Sequence, residues 1–404
     1  MPSTLRAALI ASVFISCALR AAAQALPSEP VALAGGRVTV AGDITAGVGT
    51  DDTGFFNFTD YEHSALRLFR VDLSTSVALN PHFSLLAEIR DENIETLRAY
   101  AFYLRVRPWT DHAIDIQAGR VPPTFGAFAR RAYAADNPLI GYPLAYQYLT
   151  SLRADAVPWN ADELLRMRAR GWLSNYSIGN QEPDAGVPLV SAFRWDTGIQ
   201  VHAASALLDG TIAVTTGTLS NPLIKDDNSA PQVAARVAAR PVTGLVVGVS
   251  AARGPFVSST AARGAVGDGN DRAFTQTAWG GDIEYSRAYY LVRAETIWSE
   301  WKLPALATPV IDRPVSALAT YVEGRYKLRP GLYVAARVDH LGFSDIVGSA
   351  GLQSWEAPVT RVEIGAGYSL QRNLLLKISG QHNTRDGGRV THATLVGAQI
   401  VYWF

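Results

Sequence analysis

The last ten residues of the chain, LVGAQIVYWF (395–404), indicate how it folds. Side chains alternate between the two faces of a β-strand, and every second residue counted back from the terminus is apolar. These residues are Phe404, Tyr402, Ile400, Ala398 and Val396. Most soluble chains end in a few polar, frayed residues. The pattern therefore predicts a terminal strand with one face against lipid, ending at a membrane interface.

The same alternation recurs along the whole chain. In GRVTVAGDITAGVG (36–49), Val38, Val40 and Ile44 fall on one face, whereas Arg37 and Asp43 fall on the other. Such runs are about 8 to 14 residues long, near the 9 to 11 that a tilted strand needs to cross a bilayer. Short links alternate with long polar loops, as they do in barrels of the outer-membrane type.

A soluble β-sandwich also alternates polar and apolar residues and is the alternative fold. A sandwich does not explain the combination of a predicted secretion signal at residues 1–25, an aromatic last strand and connections that alternate in length. Aromatic residues at run ends, among them Trp195, Tyr290 and Tyr326, are candidates for interfacial girdles. Backbone groups in lipid are satisfied only by helices or closed barrels. We therefore predict an all-β fold, a transmembrane antiparallel β-barrel.

The number of strands depends on how residues 121–191 fold. The count is sixteen if they form one long loop, and eighteen if PLAYQYLTSLR (143–153) and LLRMRARGWL (164–173) are also strands. Both counts are even and return the C-terminus to the periplasmic side. We prefer sixteen strands in a single barrel domain, residues 26–404, with 121–191 as a long, inward-folded loop. Within that loop, Asn160 followed by Glu163 predicts a helix start.

Residues 1–25 are predicted to be a cleaved secretory signal peptide. Arg6 precedes an apolar run, and alanines at alternate positions offer cleavage sites. A membrane anchor is the alternative, but the run of about 12 residues is shorter than the roughly 20 that a helical span needs. A lipoprotein site at Cys17 is disfavoured by Phe14. Because Cys17 is the only cysteine, the mature chain has no disulfide and no thiolate metal site.

Composition and motifs exclude several classes of function. The formal net charge is zero, and loss of the two signal-peptide arginines leaves the mature chain slightly acidic, which argues against a nucleic-acid partner. No G-x-S-x-G, H-E-x-x-H or P-loop motif occurs. Asp111-His112 and Asp339-His340 are strand neighbours whose side chains point to opposite faces. We expect no enzymatic activity, no cofactor and no metal site.

The polar faces of the strands are predicted to line the lumen with charges of both signs. A barrel of this width leaves an aqueous channel, in which such side chains stay hydrated. For any single position, a solvated or mutually paired wall residue without a role in transport is the favoured interpretation, because surface ion pairs are common and weak. The predicted lumen-facing residues are Arg105, Arg107, Glu284, Arg293, Glu295, Glu323, Arg325, Arg361, Glu363 and Lys377.

Two stretches resemble known proteins. The alternating apolar terminus with Tyr402 and Phe404 is similar to the insertion signal of bacterial outer-membrane proteins. The segment IQAGRVPPTFGAFARR (116–131) resembles a stretch of the bacterial outer-membrane porin superfamily, which includes general and phosphate-selective porins. In that superfamily the stretch leads into a loop that folds inward and narrows the pore. A lysine-based phosphate site cannot be carried over, because Arg130 and Arg131 stand here.

The resemblance implies that the long loop forms a constriction. The residues expected there are Arg120, Arg130, Arg131, Arg153 and Asp136. A loop that plugs or braces the barrel is an equal alternative.

The sequence therefore predicts an outer-membrane porin of a Gram-negative-type bacterium, a channel for passive diffusion of small hydrophilic solutes with a bias toward anions. The alternatives are a structural or adhesin-like barrel closed by its loop and, less favoured, an outer-membrane enzyme. The expected partners are outer-membrane lipid, the barrel-assembly machinery and the solutes, with a homotrimer as the candidate assembly.

Overall fold

The computed structural model describes residues 27–58, 64–95, 97–192, 194–223, 225–228, 230–268 and 273–404. The predicted signal peptide, residues 1–25, lies outside these ranges. Within them, sixteen long strands follow one another along the chain. The first eight are β1 (Val38–Gly49), β2 (Phe69–Ala78), β3 (Phe83–Glu92), β4 (Arg98–Val106), β5 (Ile114–Val121), β6 (Asp196–Ala204), β7 (Leu208–Thr215) and β8 (Gln232–Ala239). The others are β9 (Leu245–Pro255), β10 (Thr275–Arg287), β11 (Tyr290–Trp301), β12 (Val315–Arg329), β13 (Leu332–Phe343), β14 (Val359–Gln371), β15 (Leu374–Arg385) and β16 (His392–Trp403).

The sheet closes on itself. Each strand pairs antiparallel with the next, and β16 pairs with β1, with Trp403 opposite Asp43. β5 pairs with β6, Val121 lying opposite Asp196, although residues 122–195 separate the two strands. Over the described residues the fold is thus a closed antiparallel barrel of sixteen strands, which confirms the predicted fold class and the preferred strand count.

The two segments that would have raised the count to eighteen are not strands. Residues 143–153 contain a short helix, α1 (Leu144–Gln147), and residues 164–173 begin within α2 (Ala161–Arg166). Neither segment has a neighbouring strand edge to pair with, because β5 and β6 already pair with each other. The eighteen-strand alternative is therefore wrong.

The helices belong to the loops. α2 starts at Asn160, whose Oδ1 accepts a hydrogen bond from Glu163 N at 2.9 Å, and this confirms the predicted helix start. α3 (Ser259–Val266) lies between β9 and β10. No helix in the described part of the chain has the length and apolar character to span a membrane.

Inward and outward side chains alternate along the strands, as the sequence predicts. On β12, Tyr321 and Glu323 point inward and are 6% and 4% exposed, whereas Leu318 and Val322 point outward and are 48% and 51% exposed. The outward residues form an apolar belt that extends around the barrel. Further members of this belt are Ile199, Ile212, Val249, Ile283, Val338, Ile364 and Val396. Tyr290 and Tyr326, whose rings lie 4.8 Å apart, mark its periplasmic edge.

The main apolar core lies inside the barrel. Residues 122–195 leave β5, fold into the lumen and return to β6, as the prediction of an inward-folded loop requires. Within the loop, Tyr146 and Leu164 are fully buried, and they belong to the same cluster as Ala278 and Ile297 of the wall. This apolar content is more than a free external loop carries, so the segment is stable only when it is packed inside.

Candidate functional site

The cations of the inner wall hold the loop through its peptide groups. Lys377 Nζ on β15 lies 2.8 Å from Ala134 O, 3.1 Å from Asn137 O and 3.3 Å from Leu139 O. All three donors of the ammonium group are thus used. Two arginines make the same kind of contact: Arg337 Nη2 lies 2.8 Å from Gly141 O, and Arg361 Nη1 lies 3.0 Å from Tyr142 O. Three adjacent strands, β13 to β15, therefore fix the path of residues 134–142.

Carboxylates of the same wall bind the N–H groups of the loop. Glu295 Oε1 on β11 accepts hydrogen bonds from Ala127 N and from Tyr146 OH, both at 2.8 Å. Glu363 Oε1 on β14 accepts from Gly141 N at 2.9 Å. A buried charge is stable only when it is paired or hydrogen-bonded, and here the peptide groups of the loop supply those partners.

Glu356 anchors the upper part of the loop. It lies between β13 and β14, its side chain is fully buried, and it accepts from Ser151 N at 2.9 Å, Ala169 N at 2.5 Å and Ala357 N at 2.7 Å. Burial raises the pKa of Glu356, and its hydrogen bonds from N–H groups lower the pKa by less. Ser151 and Ala169 are thereby tied to one carboxylate of an external loop.

A chain of alternating charges lies on the underside of the loop. Arg131 Nη1 is 2.5 Å from Glu284 Oε2, which in turn is 2.9 Å from Arg293 Nε. Arg293 Nη1 is 3.6 Å from Glu323 Oε1 and donates to Asp136 O at 3.4 Å. Burial raises the pKa of the Asp136 carboxyl, and the nearby Arg293 and Arg131 oppose that shift. The structure thus brings together two of the predicted constriction residues, Arg131 and Asp136.

Arg120 does not line the lumen. It lies opposite Phe102 of β4, which is on the outer face and 55% exposed, whereas Gln117 faces inward. The Arg120 guanidinium donates to the carbonyl oxygens of Ala99 and Trp195. Positions 117 and 120 are three apart, an odd number, so strand alternation puts the two side chains on opposite faces. The prediction of Arg120 as a constriction residue is corrected accordingly.

Arg153 is also not a pore-lining residue. Its side chain has no exposed surface and lies 2.7 Å from Asp155, with further hydrogen bonds to Ser174 O at 2.9 Å and Glu182 O at 2.6 Å. Arg153 therefore braces the loop from within, because its donors satisfy loop carbonyls that are shielded from water. The side chain of Arg130 lies outside the part of the molecule that the structure describes.

Five of the ten predicted lumen-facing residues point inward but are covered by the loop. Glu295, Glu323 and Lys377 are 2% to 4% exposed, and Arg361 and Glu363 are fully buried. Four others of the predicted set keep contact with solvent on the periplasmic side: Arg105, Glu284, Arg293 and Arg325. Alternation alone cannot distinguish the two groups, because it carries no information on what the loop covers.

A cavity of about 770 Å³ remains in the periplasmic half of the lumen, between β4 and β7. Its wall carries Arg105, Arg107, Asp115, Gln117, Gln200 and His202, and its upper side carries Tyr133 and Trp195. We call this cavity the vestibule. Trp195 was a candidate for the girdle, yet it packs inside against Tyr100 with the ring centroids 5.3 Å apart. Sequence reasoning missed Trp195 and Tyr133 as site residues, since neither lies within a strand.

The terminal strand matches its predicted orientation. Ile400 and Val396 of β16 are exposed on the outer surface. The rings of Tyr402 and Phe404 lie 6.0 Å apart, and Phe404 pairs with Gly42 of β1 through two backbone hydrogen bonds of 3.0 Å. Backbone hydrogen bonds thus continue the barrel seam to the last residue, next to the aromatic pair at the periplasmic edge.

No protein-family model matches the sequence, and no curated protein matches it. Solved structures do match. The anion-selective porin from Comamonas acidovorans has a TM-score of 0.55 at 9% identity, over 91% of this chain and 99% of that chain. OmpF of Salmonella typhi, in a complex with daunomycin, gives 0.52 at 13%, over 91% and 97%. The trimer form of OmpT from Vibrio cholerae gives 0.50 at 12%, over 91% and 99%.

These likenesses establish the fold, which is that of the bacterial outer-membrane porins. The resemblance seen in the sequence is thereby confirmed at the level of the fold. A closed barrel with an apolar outer belt has all its backbone groups paired and its lipid face covered by apolar side chains. Together the fold and the belt confirm the predicted localisation, the outer membrane.

Proposed function

We propose that the protein is a porin that lets small hydrophilic solutes diffuse passively across the outer membrane. The observation that carries the proposal is the vestibule: a polar cavity of about 770 Å³ inside a closed barrel, beneath a loop that crosses the lumen. Barrels of sixteen to eighteen strands leave an aqueous channel when nothing fills them. The loop then acts as the constriction, and the proposal assigns no catalytic role to any residue.

A specific observation favours a second candidate, a structural or adhesin-like barrel closed by its loop. Above the charged underside, the loop packs into an apolar core: Leu144, Tyr146 and Leu164 are at most 1% exposed. A core of this kind is close-packed and excludes water.

Conductance across a planar lipid bilayer distinguishes the two candidates. Stepwise, sustained conductance from the purified chain is the expected result for a porin. Silent membranes, with insertion confirmed by protease resistance and heat modifiability of the same sample, would overturn the porin proposal in favour of the closed barrel.

The proposal includes a bias toward anions. Arg105 and Arg107 in the vestibule support it, as does Arg131 on the underside of the loop. Glu284 lies 2.5 Å from Arg131 and reduces its contribution. Charged rings at a narrow passage set ion preference, so the zero-current potential across a salt gradient measures the net effect.

We further propose that outer-membrane lipid surrounds the apolar belt, that the barrel-assembly machinery recognises the terminal strand, and that the chain forms a homotrimer. The trimer form of OmpT, which shares the fold, supports the last point. Replacing Tyr402 and Phe404 with Ser removes both aromatic anchors and is expected to abolish assembly in the outer membrane. Heat-modifiable, protease-resistant barrels at normal yield would contradict the role of the terminal strand.

A further inference from the structure

The vestibule has the size of a solute-binding site. Small-molecule sites in proteins usually have volumes of roughly 300 to 1,000 Å³, and the vestibule has about 770 Å³. The turn residues Thr110 and His112 line its lower edge, so it opens toward the side of the short turns. A solute can therefore reach it without passing the loop.

Two guanidinium groups in the vestibule have unused hydrogen-bond donors. Arg105 and Arg107 stand two residues apart on the inner face of the chain at β4. Among the described residues, the side chain of neither forms a hydrogen bond; Arg105 Nε lies 3.6 Å from Asp115 Oδ1, beyond hydrogen-bond distance. Arginine presents its donors in a planar fork that matches a carboxylate with two parallel hydrogen bonds. The pair is thus available to an anionic group of a solute.

The local charge suits a solute with one negative charge. The two arginines and Asp115 together carry one net positive charge. Asp111 also lines the vestibule, but its side chain is 77% exposed and 2.9 Å from His112 Nδ1 at the rim. Water and salt screen an exposed rim charge of this kind.

The amide side chains of the wall are held in fixed orientations. Thr124 Oγ1 donates to Gln200 Oε1 at 3.0 Å, and Gln200 Nε2 donates to Gln117 Oε1 at 2.7 Å. Gln117 Nε2 in turn donates to Asp115 Oδ1 at 2.7 Å. An amide nitrogen has two N–H donors, and this relay uses one on each glutamine. The network is oriented beside Arg105, which lies opposite Gln117 in the sheet.

The upper side of the vestibule is aromatic and rigid. Trp195 packs against Tyr100 and Tyr103, with ring centroids 5.3 and 6.4 Å apart. Tyr133 is anchored by its hydroxyl, which donates to Glu88 Oε2 at 2.8 Å. Such rings offer a flat apolar surface against which another ring can stack.

We propose that the vestibule binds small organic monocarboxylates that carry a planar ring, with the carboxylate on Arg105 and Arg107 and the ring beneath Trp195. This inference rests on the proposed function and deepens it, because it names the class of solute that the pore retains. Neither guanidinium alone supplies the selectivity for a ring, and the aromatic surface alone does not select an anion.

Calorimetric titration of the detergent-solubilised full chain with benzoate tests the inference without requiring conductance. Saturable binding of benzoate is expected, with binding of benzyl alcohol and of acetate each weaker by about tenfold, since each lacks one of the two recognised groups. Equal binding of benzoate and acetate would overturn the ring contact. Equal binding of benzoate and benzyl alcohol would overturn the carboxylate contact.

Variants locate the site. Arg107→Gln, at an exposed position, and Arg105→Gln are each expected to weaken benzoate binding by about tenfold, the loss of one charge-assisted contact. The matched control is Arg329→Gln, an exposed arginine at the periplasmic end of β12 outside the vestibule, which should leave binding unchanged. Equal weakening in the control would overturn the assignment. Benzoate binding by a chain that is silent in a planar bilayer would refute the porin while leaving the site in place.

Discussion

Two walls of the same lumen use their charges differently. On β13 to β15, Lys377, Arg337 and Arg361 are buried and donate to the carbonyl groups of the loop. On and beside β4, Arg105 and Arg107 face the vestibule, and neither side chain forms a hydrogen bond within the described residues. Both sets lie at inward positions, on or beside strands in which inward and outward side chains alternate. An inward charge therefore becomes structural when a peptide group reaches it, and stays available to solutes when none does.

The largest expected effect is on the wall that grips the loop. Lys377→Met leaves the carbonyl groups of Ala134, Asn137 and Leu139 without their buried donor. We expect a loss of about 3 kcal/mol in the free energy of unfolding and new protease cleavage within residues 132–142. Urea-induced unfolding in lipid vesicles measures the first effect, and limited proteolysis measures the second.

Lys327→Met, at an exposed site on β12, and Arg105→Gln, on the open wall, are the controls for this comparison. Both are expected to stay within about 0.5 kcal/mol of the natural chain. If Lys377→Met unfolds at the same urea concentration as these two variants, the buried contact of Lys377 with the loop adds no more stability than the charges of the open wall.

The next effect concerns Glu356. A glutamine there has only one acceptor oxygen for three N–H groups, so Glu356→Gln should cost about 2 kcal/mol. Burial raises the pKa of Glu356 above its ordinary value of 4.5, so the folded chain binds this proton more readily than the unfolded chain. Its contribution to stability is therefore full below pH 4.5 and is lost as the pH rises through the folded pKa.

Unfolding free energies of the natural chain and Glu356→Gln, measured from acid to neutral pH, check both points. The variant should lack the decline with rising pH that Glu356 produces. Parallel curves for the two chains would show that Glu356 does not titrate differently in the folded state.

A smaller, functional effect is expected on the underside of the loop. Arg131→Ala removes a positive charge beside Glu284 and should shift ion preference toward cations, whereas Glu284→Gln should shift it toward anions. The zero-current potential across a salt gradient gives the ratio of anion to cation permeability. This ratio should change severalfold in each variant, falling in Arg131→Ala and rising in Glu284→Gln. Shifts in one direction for both variants would show that the pair lies away from the permeation path.

The smallest effect is the pH dependence of that preference. Because burial raises the pKa of Asp136, its carboxyl takes up a proton above the ordinary value of 3.8 as the pH falls. Loss of this negative charge near Arg131 and Arg293 should increase the preference for anions. Asp136→Asn should show the increased preference at neutral pH and a flatter pH profile. An unchanged profile in Asp136→Asn would assign the titration to another group.

The sequence predicted the barrel because every strand carries the same two-face pattern and a closed sheet satisfies its backbone. The sequence also contains the information that corrects the placement of Arg120. Arg120 is an odd number of positions from the inward-facing Gln117, so its side chain points outward. The sequence could not tell Lys377 from Arg105. The partners of Lys377 lie about 240 positions earlier in the chain, and only folding brings them to β15. Alternation is a local property, whereas coverage by a distant loop is not.

The hydrogen bonds from wall side chains to the loop backbone have a consequence for how such a protein changes over evolutionary time. Ala134, Leu139 and Gly141 contribute only backbone atoms to Lys377, Arg337 and Glu363. Ala134 and Leu139 contribute only their carbonyl oxygens, so a substitution that fits the space leaves those contacts intact. Gly141 is different, because a Cβ there would lie 2.6 Å from Glu363 Oε2. At these positions the inner wall binds the backbone of the loop and not its side chains. The side chains at positions 134 and 139 can therefore change while the wall stays the same.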